Sequence, residues 1–264
     1  MSNSMKVAII GAGNMGGAIA RALAATGQYS IAVANPSLPK LEAIAAEYPN
    51  VKTTTDNIVA VCNADVVILA VKPWLIANVV EQIKPNLDYS STAIVSLAGG
   101  MSLDTLDSIL IRNNELPALC RVIPNTALSV GKSMTFIAPR RAEKITDTIV
   151  KMFETMGEVA VIEEKLMDAA TALTSCGIAY VYKFAQACVQ AGVELGFKPA
   201  DALKYVCATM DGAATMLSQP GAAPQSEIDK VTTPGGMTIK GINMLEHTGF
   251  TSAVIKAILS PVKK

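Results

Sequence analysis

The 264-residue sequence contains a single histidine, His247, and a single tryptophan, Trp74. One imidazole removes most histidine-ligated metal centres and most Ser-His-Asp arrangements, because each needs further partners. His247 itself reads as a surface helix residue. The five cysteines stand at positions 62, 120, 176, 188 and 207, an odd number without any C-x-x-C spacing. That argues against a disulfide framework and a structural zinc site, so no metal is expected and a reducing cytoplasm fits best. Excess charge is missing too. With 22 basic and 22 acidic residues the formal net charge is zero, and nothing in that balance draws the chain to a nucleic-acid backbone. Apolar runs stay short: stretches such as Ala64 to Val71 are strand-sized, far below the roughly 20 residues of a membrane span. A mean hydropathy of +0.38, with 51% hydrophobic but only 5% aromatic residues, then implies a soluble protein with a core of Ala, Val, Ile, Leu and Met.

What is present falls into two textures. From Met5 onward, apolar β-rich runs alternate with amphipathic stretches: Lys6 to Ile10, Ile31 to Ala34, Val66 to Ala70, Ala93 to Leu97, Leu119 to Ile123, Met134 to Ala138 and Glu158 to Val161. Such alternation predicts βαβ units and a mostly parallel sheet, its first four strands covered on both faces. After Glu163 the strand-like runs vanish. Lys165 to Leu195 is Ala-rich and apolar on more than one face, which predicts a long helix buried all round. Pro199 opens a second helix through Leu217, and Pro220-Gly221 with Pro224 marks a loop. The turn Thr232 to Gly236 precedes a helix to about His247, and a last helix covers about Ser252 to Leu259. So many apolar helices cannot bury themselves alone, which predicts a homodimer interface or a dimer-based higher oligomer; the alternative is packing onto the first domain. The domains expected are 5–162 and 163–264. Residues 1–4 read as a cloning remnant ahead of a native start at Met5.

Chemistry enters directly after the first strand. Ile10-Gly11-Ala12-Gly13-Asn14-Met15-Gly16 supplies G-x-G-x-x-G between a strand and a helix-forming run. There the first glycine permits a tight turn, the second lets the backbone approach a pyrophosphate, and the third allows close helix packing. The fold class expected is therefore α/β, an N-terminal Rossmann-like domain binding a dinucleotide, followed by an all-helical domain. The second strand ends in Ala34-Asn35-Pro36-Ser37-Leu38-Pro39-Lys40, without the acid that would hold a free ribose 2′-hydroxyl. Asn35, Ser37 and Lys40 could instead donate to a 2′-phosphate, which favours NADPH over NADH. Ala70-Val71-Lys72-Pro73 and Leu97-Ala98-Gly99 follow further strands and are candidate contacts on the nicotinamide side; Pro124-Asn125-Thr126 follows another. Each could equally be a loop cap.

Together with these motifs, Val231-Thr232-Thr233-Pro234-Gly235-Gly236-Met237-Thr238-Ile239 and Leu245-Glu246 carry a resemblance to the pyrroline-5-carboxylate reductases, extending in order along the whole chain. The resemblance implies hydride transfer from NAD(P)H to the C=N carbon of a cyclic imino acid, giving L-proline, the last step of its biosynthesis. It implies that Thr238 hydrogen-bonds the pyrroline nitrogen, that Thr233, Gly235, Gly236 and Met237 line the substrate, that Glu164 is an acid near it, and that Asn57 lies on the adenosine side. The backbone N–H groups of the Pro234-Gly235-Gly236 turn, at a helix start, suit a carboxylate. Thr233 and Thr238 could otherwise cap that helix, and Glu164 could be a first-turn charge. One departure stands out: Thr174-Ser175-Cys176-Gly177-Ile178-Ala179-Tyr180 replaces a family run of the Ser-Gly-Ser-Gly-Pro-Ala-Tyr kind.

Other readings compete. A β-hydroxyacid dehydrogenase shares the glycine opening and helical second domain, but its lysine lies four residues after a glycine, whereas Lys183 lies six after Gly177. A different oxidoreductase acting on an imine or a deazaflavin would lack the C-terminal signature, and a catalytically silent nucleotide sensor or a pyridoxal-phosphate-handling scaffold would not need the Pro-Gly-Gly-x-Thr turn, which is intact.

Overall fold

The computed structural model describes residues 4–262, so the remnant expected at the start lies, Ser4 apart, outside the described residues. The chain forms two compact units, the first running to Ser175 and the second beginning at Cys176.

The first unit is built on one sheet. Its strands are β1 (Met5–Ile10), β2 (Tyr29–Ala34), β3 (Lys52–Thr54), β4 (Val66–Leu69), β5 (Ala93–Ser96), β6 (Ala118–Ile123), β7 (Ser133–Arg140) and β8 (Gly157–Val161). They lie in the order β3-β2-β1-β4-β5-β6-β7-β8, and every neighbouring pair is parallel except β6 with β7. The reversal follows from chain length. Only residues 124–132 separate β6 from β7, too few for the crossover that a parallel pair needs. Seven strands match the apolar runs of the sequence. β3 does not: Lys52-Thr53-Thr54 is short and polar, as suits an edge strand.

Helices α1 (Asn14–Thr26), α2 (Leu38–Glu47), α3 (Asn57–Val61), α4 (Ile76–Ile83), α5 (Leu103–Leu110) and α6 (Thr146–Glu154) cover the sheet. Along each central strand, side chains alternate between two cores. Val7, Ile9, Val66 and Ile68 pack with Ile19 and Leu23 of α1, Leu41 and Ile44 of α2, and Phe153 of α6. Ala8, Ile10, Val67 and Leu69 pack with Val61 of α3, Ile76 and Val80 of α4, and Leu103 and Leu106 of α5. Magnitudes explain why α1 forms despite Gly16 and Gly17. Each glycine costs about 1 kcal/mol relative to alanine in a helix interior, whereas burying Ile19 and Leu23 contributes about 1.5–3 kcal/mol apiece. The helix stops at Gly27, whose φ of +66° is a left-handed conformation that glycine adopts without penalty.

After β8 the chain enters the segment expected to be one long helix. It is instead a 3-10 turn (Glu164–Leu166), a short helix α7 (Met167–Ala170), a π-helical stretch (Thr171–Cys176) and then α8 (Gly177–Glu194). Within it, the hydroxyls of Thr171 and Thr174 donate to the carbonyls of Met167 and Ala170 at 2.7 and 3.0 Å, competing with the regular ladder.

The second unit contains α8, α9 (Pro199–Leu217), α10 (Pro224–Val231), α11 (Met237–His247) and α12 (Phe250–Leu259). Pro224 opens α10 instead of marking a loop, since its fixed φ and missing N–H suit a first helical turn. At Gly192 an added Cβ would stand 3.0 Å from that of Ala202, so α8 and α9 approach closely. Phe197 meets Tyr205 edge-on, ring centroids 5.7 Å apart, and the Tyr180 hydroxyl donates to the Ala257 carbonyl at 3.0 Å, joining α8 to α12. The expected all-round burial of α8 is absent: within the chain only its Gly177 is buried, while Val181, Tyr182, Phe184 and Val193 are exposed. His247 is exposed at the end of α11. No helix among the described residues is long and apolar enough to cross a membrane.

Asp107 on α5 receives Arg140 at 3.0 Å and both terminal nitrogens of Arg141. Burial works to raise its pKa, but the two guanidiniums outweigh this and hold the carboxyl below its ordinary range. The ion pairs therefore stabilise the fold fully above the unfolded-state pKa near 3.9 and are lost as pH falls through the lower folded value. Denaturant unfolding should show stability declining below about pH 4, with a shallower decline and lower neutral-pH stability in Asp107→Asn.

Candidate functional site

Strand register assembles the candidate residues of the first unit. Ile10 pairs with Ala34 on one side and Leu69 on the other, and Leu69 pairs with Ser96. These strands are parallel, so the residues that follow them emerge along one edge: Gly11, Asn35, Ala70 and Leu97. Ligands bind beyond this carboxyl edge in open parallel sheets. The candidate residues Ile10 to Gly16, Asn35, Ser37, Ala70 to Pro73 and Leu97 to Gly99 are thereby gathered around neighbouring strand ends. Asn57 reaches the same edge through β3, because Ala34 pairs with Thr54.

The glycine loop has no space for side chains on its inner side. Gly11 has φ +105°, and a Cβ there would lie 2.6 Å from the Ala70 carbonyl oxygen. At Gly16 a Cβ would stand 1.9 Å from the Gly11 carbonyl oxygen and 2.8 Å from the Ala70 Cβ. Gly13 differs: no atom lies within 4 Å of its would-be Cβ, so the chain here faces open space. Gly13 is the N-cap of α1, without a side-chain cap or an acid in the first turn. The unpaired N–H groups of that turn, with the positive end of the helix, are free for an anion. A cleft of about 660 Å³ touches Ala12, Gly13, Asn14 and Lys40, although most of its lining, including Arg21, Ala25, Glu47, Tyr48 and Thr155, runs along α1 beyond the glycine loop. The loop thus fits a dinucleotide pyrophosphate: closed where it packs on β4, open where phosphate would approach.

Around this loop, several candidate side chains are already engaged. Asn35 is buried; its Oδ1 accepts the Ala12 N–H at 3.0 Å, and its Nδ2 donates to the Ser37 carbonyl at 3.3 Å. It ties the glycine loop to the turn after β2, a link between separate motifs that sequence spacing does not signal. Ser37 is the N-cap of α2, yet its hydroxyl makes no capping bond. Asn57 donates its amide to Gln82 at 2.9 Å. The Ala70 N–H is held by Ile10 at 2.8 Å, and the Leu97 N–H by Leu69 at 3.1 Å. Lys72 is exposed, and Trp74, two residues on, is 74% exposed. Asn125 is a loop cap, accepting the Ala127 N–H at 3.1 Å.

Glu164 also lies in the first unit. One of its oxygens accepts the Leu103 N–H and the other pairs with Arg140 at 3.1 Å. The Ser175 hydroxyl, in the π-helical stretch, donates to the Pro124 carbonyl at 3.1 Å. The family resemblance singled out this stretch by composition, but not its π geometry, which is often found at functional sites. Cys120, one residue from the buried Arg121, is inert: burial pushes its thiol up to about 12.

The second unit carries a separate group of candidate residues. Thr233 to Gly236 form a turn in which the Gly236 N–H donates to the Thr233 carbonyl at 3.0 Å, with Gly235 at φ +73°. Proline followed by a left-handed glycine is the pattern of a type II turn. Gly236 caps α11 without a side-chain bond, so neither Thr233 nor Thr238 caps the helix. Both threonines are exposed, and Met237, between the turn and Thr238, is 90% exposed. Because the Gly236 N–H is spent on the turn, the donors left for a ligand are the N–H groups of Gly235, Met237 and Thr238 and the two hydroxyls.

Sheet order, glycine loop and helical second unit define a Rossmann-type oxidoreductase with a helical C-terminal domain. Residues 164–264 match the family described as pyrroline-5-carboxylate reductase dimerisation, and residues 6–100 match the NADP oxidoreductase, coenzyme F420-dependent family. Pyrroline-5-carboxylate reductase 2 of Dictyostelium discoideum is 34% identical over 281 residues, covering 100% of this chain and 93% of that relative. A solved pyrroline-5-carboxylate reductase of Coxiella burnetii superposes with TM-score 0.88 at 30% identity, over 98% of this chain and 97% of the other. The Plasmodium falciparum pyrroline carboxylate reductase, solved with NADP bound, gives TM-score 0.86 at 27% identity, over 99% and 96%. The chain belongs to the pyrroline-5-carboxylate reductase family.

The glycine geometry separates packing from ligand contact. Gly16→Ala should lower Tm, at a cost of about 1–3 kcal/mol for the forced overlap. Gly13→Ala should leave Tm unchanged but weaken NADPH binding by calorimetry at least about tenfold, or about 1.4 kcal/mol.

Proposed function

We infer that this protein reduces 1-pyrroline-5-carboxylate to L-proline, with NADPH as the preferred hydride donor. The observation that carries the reading is full-length family membership, joined to a glycine loop shaped for a dinucleotide. When bound, the reduced nicotinamide supplies the hydride that adds to the C=N carbon, while the ring nitrogen keeps the proton of its iminium form. What remains for the protein is placement. The open side of Gly13 and the first turn of α1 hold the pyrophosphate, with Ile10, Ala12, Asn14 and Met15 alongside. Asn35 keeps that loop and the β2 turn in register. The uncommitted hydroxyl of Ser37, with Lys40 on α2, receives the ribose 2′-phosphate, and Asn57 lies on the adenosine side. Ala70 to Pro73 and Leu97 to Gly99 border the nicotinamide.

At the substrate end, the free N–H groups of Gly235, Met237 and Thr238 donate to the carboxylate, aided by the Thr233 hydroxyl. The Thr238 hydroxyl bonds the ring nitrogen and fixes the imine carbon for attack. No strong acid is needed, since the iminium brings its own proton. The nucleotide half is 5–162 and the substrate half 163–264, a division supported by the family match that begins at residue 164. The exposed apolar side chains of α8, α9, α11 and α12 support a homodimer or a dimer-based higher oligomer. The odd cysteine count supports a cytoplasmic setting.

Purified protein should oxidise NADPH on addition of 1-pyrroline-5-carboxylate and yield proline, more slowly with NADH, and should not turn over a 3-hydroxyacid with NADP+. Silence with the imine overturns the reading. In the same assay Thr238→Ala should lower kcat/KM by about ten- to a hundredfold, the loss of one hydrogen bond to a charged group, with NADPH affinity unchanged.

A further inference from the structure

A group of charged side chains joins α5, β6, β7 and the segment after β8, and the chemistry above does not use it. Arg121, on β6, has a side chain only 4% exposed. It donates to Asp168 at 2.8 Å, lies 3.8 Å from Glu164, and leaves its buried Nε without a partner. Asp168 is 72% exposed, so the better shielded counter-charge of this guanidinium is Glu164. Glu164 in turn has both oxygens committed: Oε1 to the Leu103 N–H, and Oε2 to Arg140.

Leu103 is the first residue of α5, and its N–H is one of the groups a helix start leaves unpaired. Ser102 caps the neighbouring Thr105 N–H at 3.1 Å; Glu164, 61 residues away in sequence, caps Leu103. The loop Leu97 to Met101 therefore has an anchor at each end. At the strand, the Leu97 N–H is held by Leu69 and that of Ala98 by the Ser96 hydroxyl at 3.3 Å. Between the anchors, Gly99 and Gly100 are exposed and have no side chain to hold them.

We propose that Glu164 is a positioning residue: it clamps the start of α5 and thereby holds the Leu97–Gly100 loop against the nicotinamide, acting on the reaction without touching the substrate. The proposal rests on the functional reading above, in which this loop borders the nicotinamide. Two substitutions separate the cap from the charge. Glu164→Gln keeps an oxygen in reach of the Leu103 N–H but removes the charge. Glu164→Asp keeps the charge but shortens the reach by one methylene.

Hydrogen–deuterium exchange of the ligand-free variants over residues 97–106 reads the clamp directly, and steady-state kinetics read its consequence. Glu164→Asp should exchange faster there and lose roughly ten- to a hundredfold in kcat, as a misplaced reacting group does. Its KM for the imine should stay within about twofold, and Glu164→Gln, which keeps the cap but leaves Arg121 and Arg140 without their shared carboxylate, should keep wild-type exchange over residues 97–106 while lowering Tm. Unchanged exchange in Glu164→Asp overturns the proposal. So does exchange over residues 97–106 that rises in Glu164→Gln as much as in Glu164→Asp, or a loss in Glu164→Asp confined to the KM of the imine. Should the wild type fail to reduce the imine, the functional reading falls, while the exchange comparison still decides whether the clamp exists.

Discussion

The constraint on which the rest depends is the contact between Gly16, Gly11 and Ala70. It brings the first turn of α1, the end of β1 and the end of β4 within a distance that excludes a single Cβ. Because β1 is central, with β2 on one side and β4 on the other, this contact fixes where the strand ends lie relative to the helix dipole. The hydrogen bond from Ala12 to Asn35 carries the same alignment outward to β2. The strand-end edge is thus one packed unit, held by close backbone contacts and by the Asn35 side chain.

The second unit solves a different problem. Its turn spends one backbone N–H on holding its own shape and leaves the neighbouring donors and both threonine hydroxyls free. Rigidity and availability are separated within six residues, Thr233 to Thr238. Proline and glycine make the turn; the helix behind it supplies the donors.

How much of this was readable in advance depended on the range of the cause. β1, β2, β4 and β5 were visible because buried parallel strands write continuous apolar runs, and the glycine loop because its spacing is local. The polar β3 was not visible, since its pairing with β2 decides its state more than its residues do. Pro224 was ambiguous because proline serves both loops and first turns. The π-helical stretch has no compositional signature. Glu164 reads in the sequence as a family acid or a helix-start charge, whereas in the fold it caps a helix 61 residues earlier. That role depends on β6 and β7 placing Arg121 and Arg140 beside it. The engagement of Asn35 with Ala12 was equally hidden, because the residue's amide looks as suited to a phosphate as to a backbone.

Trp74 gives the molecule one further property. The only indole in the chain stands exposed immediately after Lys72-Pro73, at the rim of the edge where reduced nicotinamide is expected. All tryptophan emission therefore comes from one place, and reduced nicotinamide absorbs where indoles emit. With NADPH bound beside it, this single exposed indole would lose emission by energy transfer, so occupancy of that edge would be readable without label or substrate.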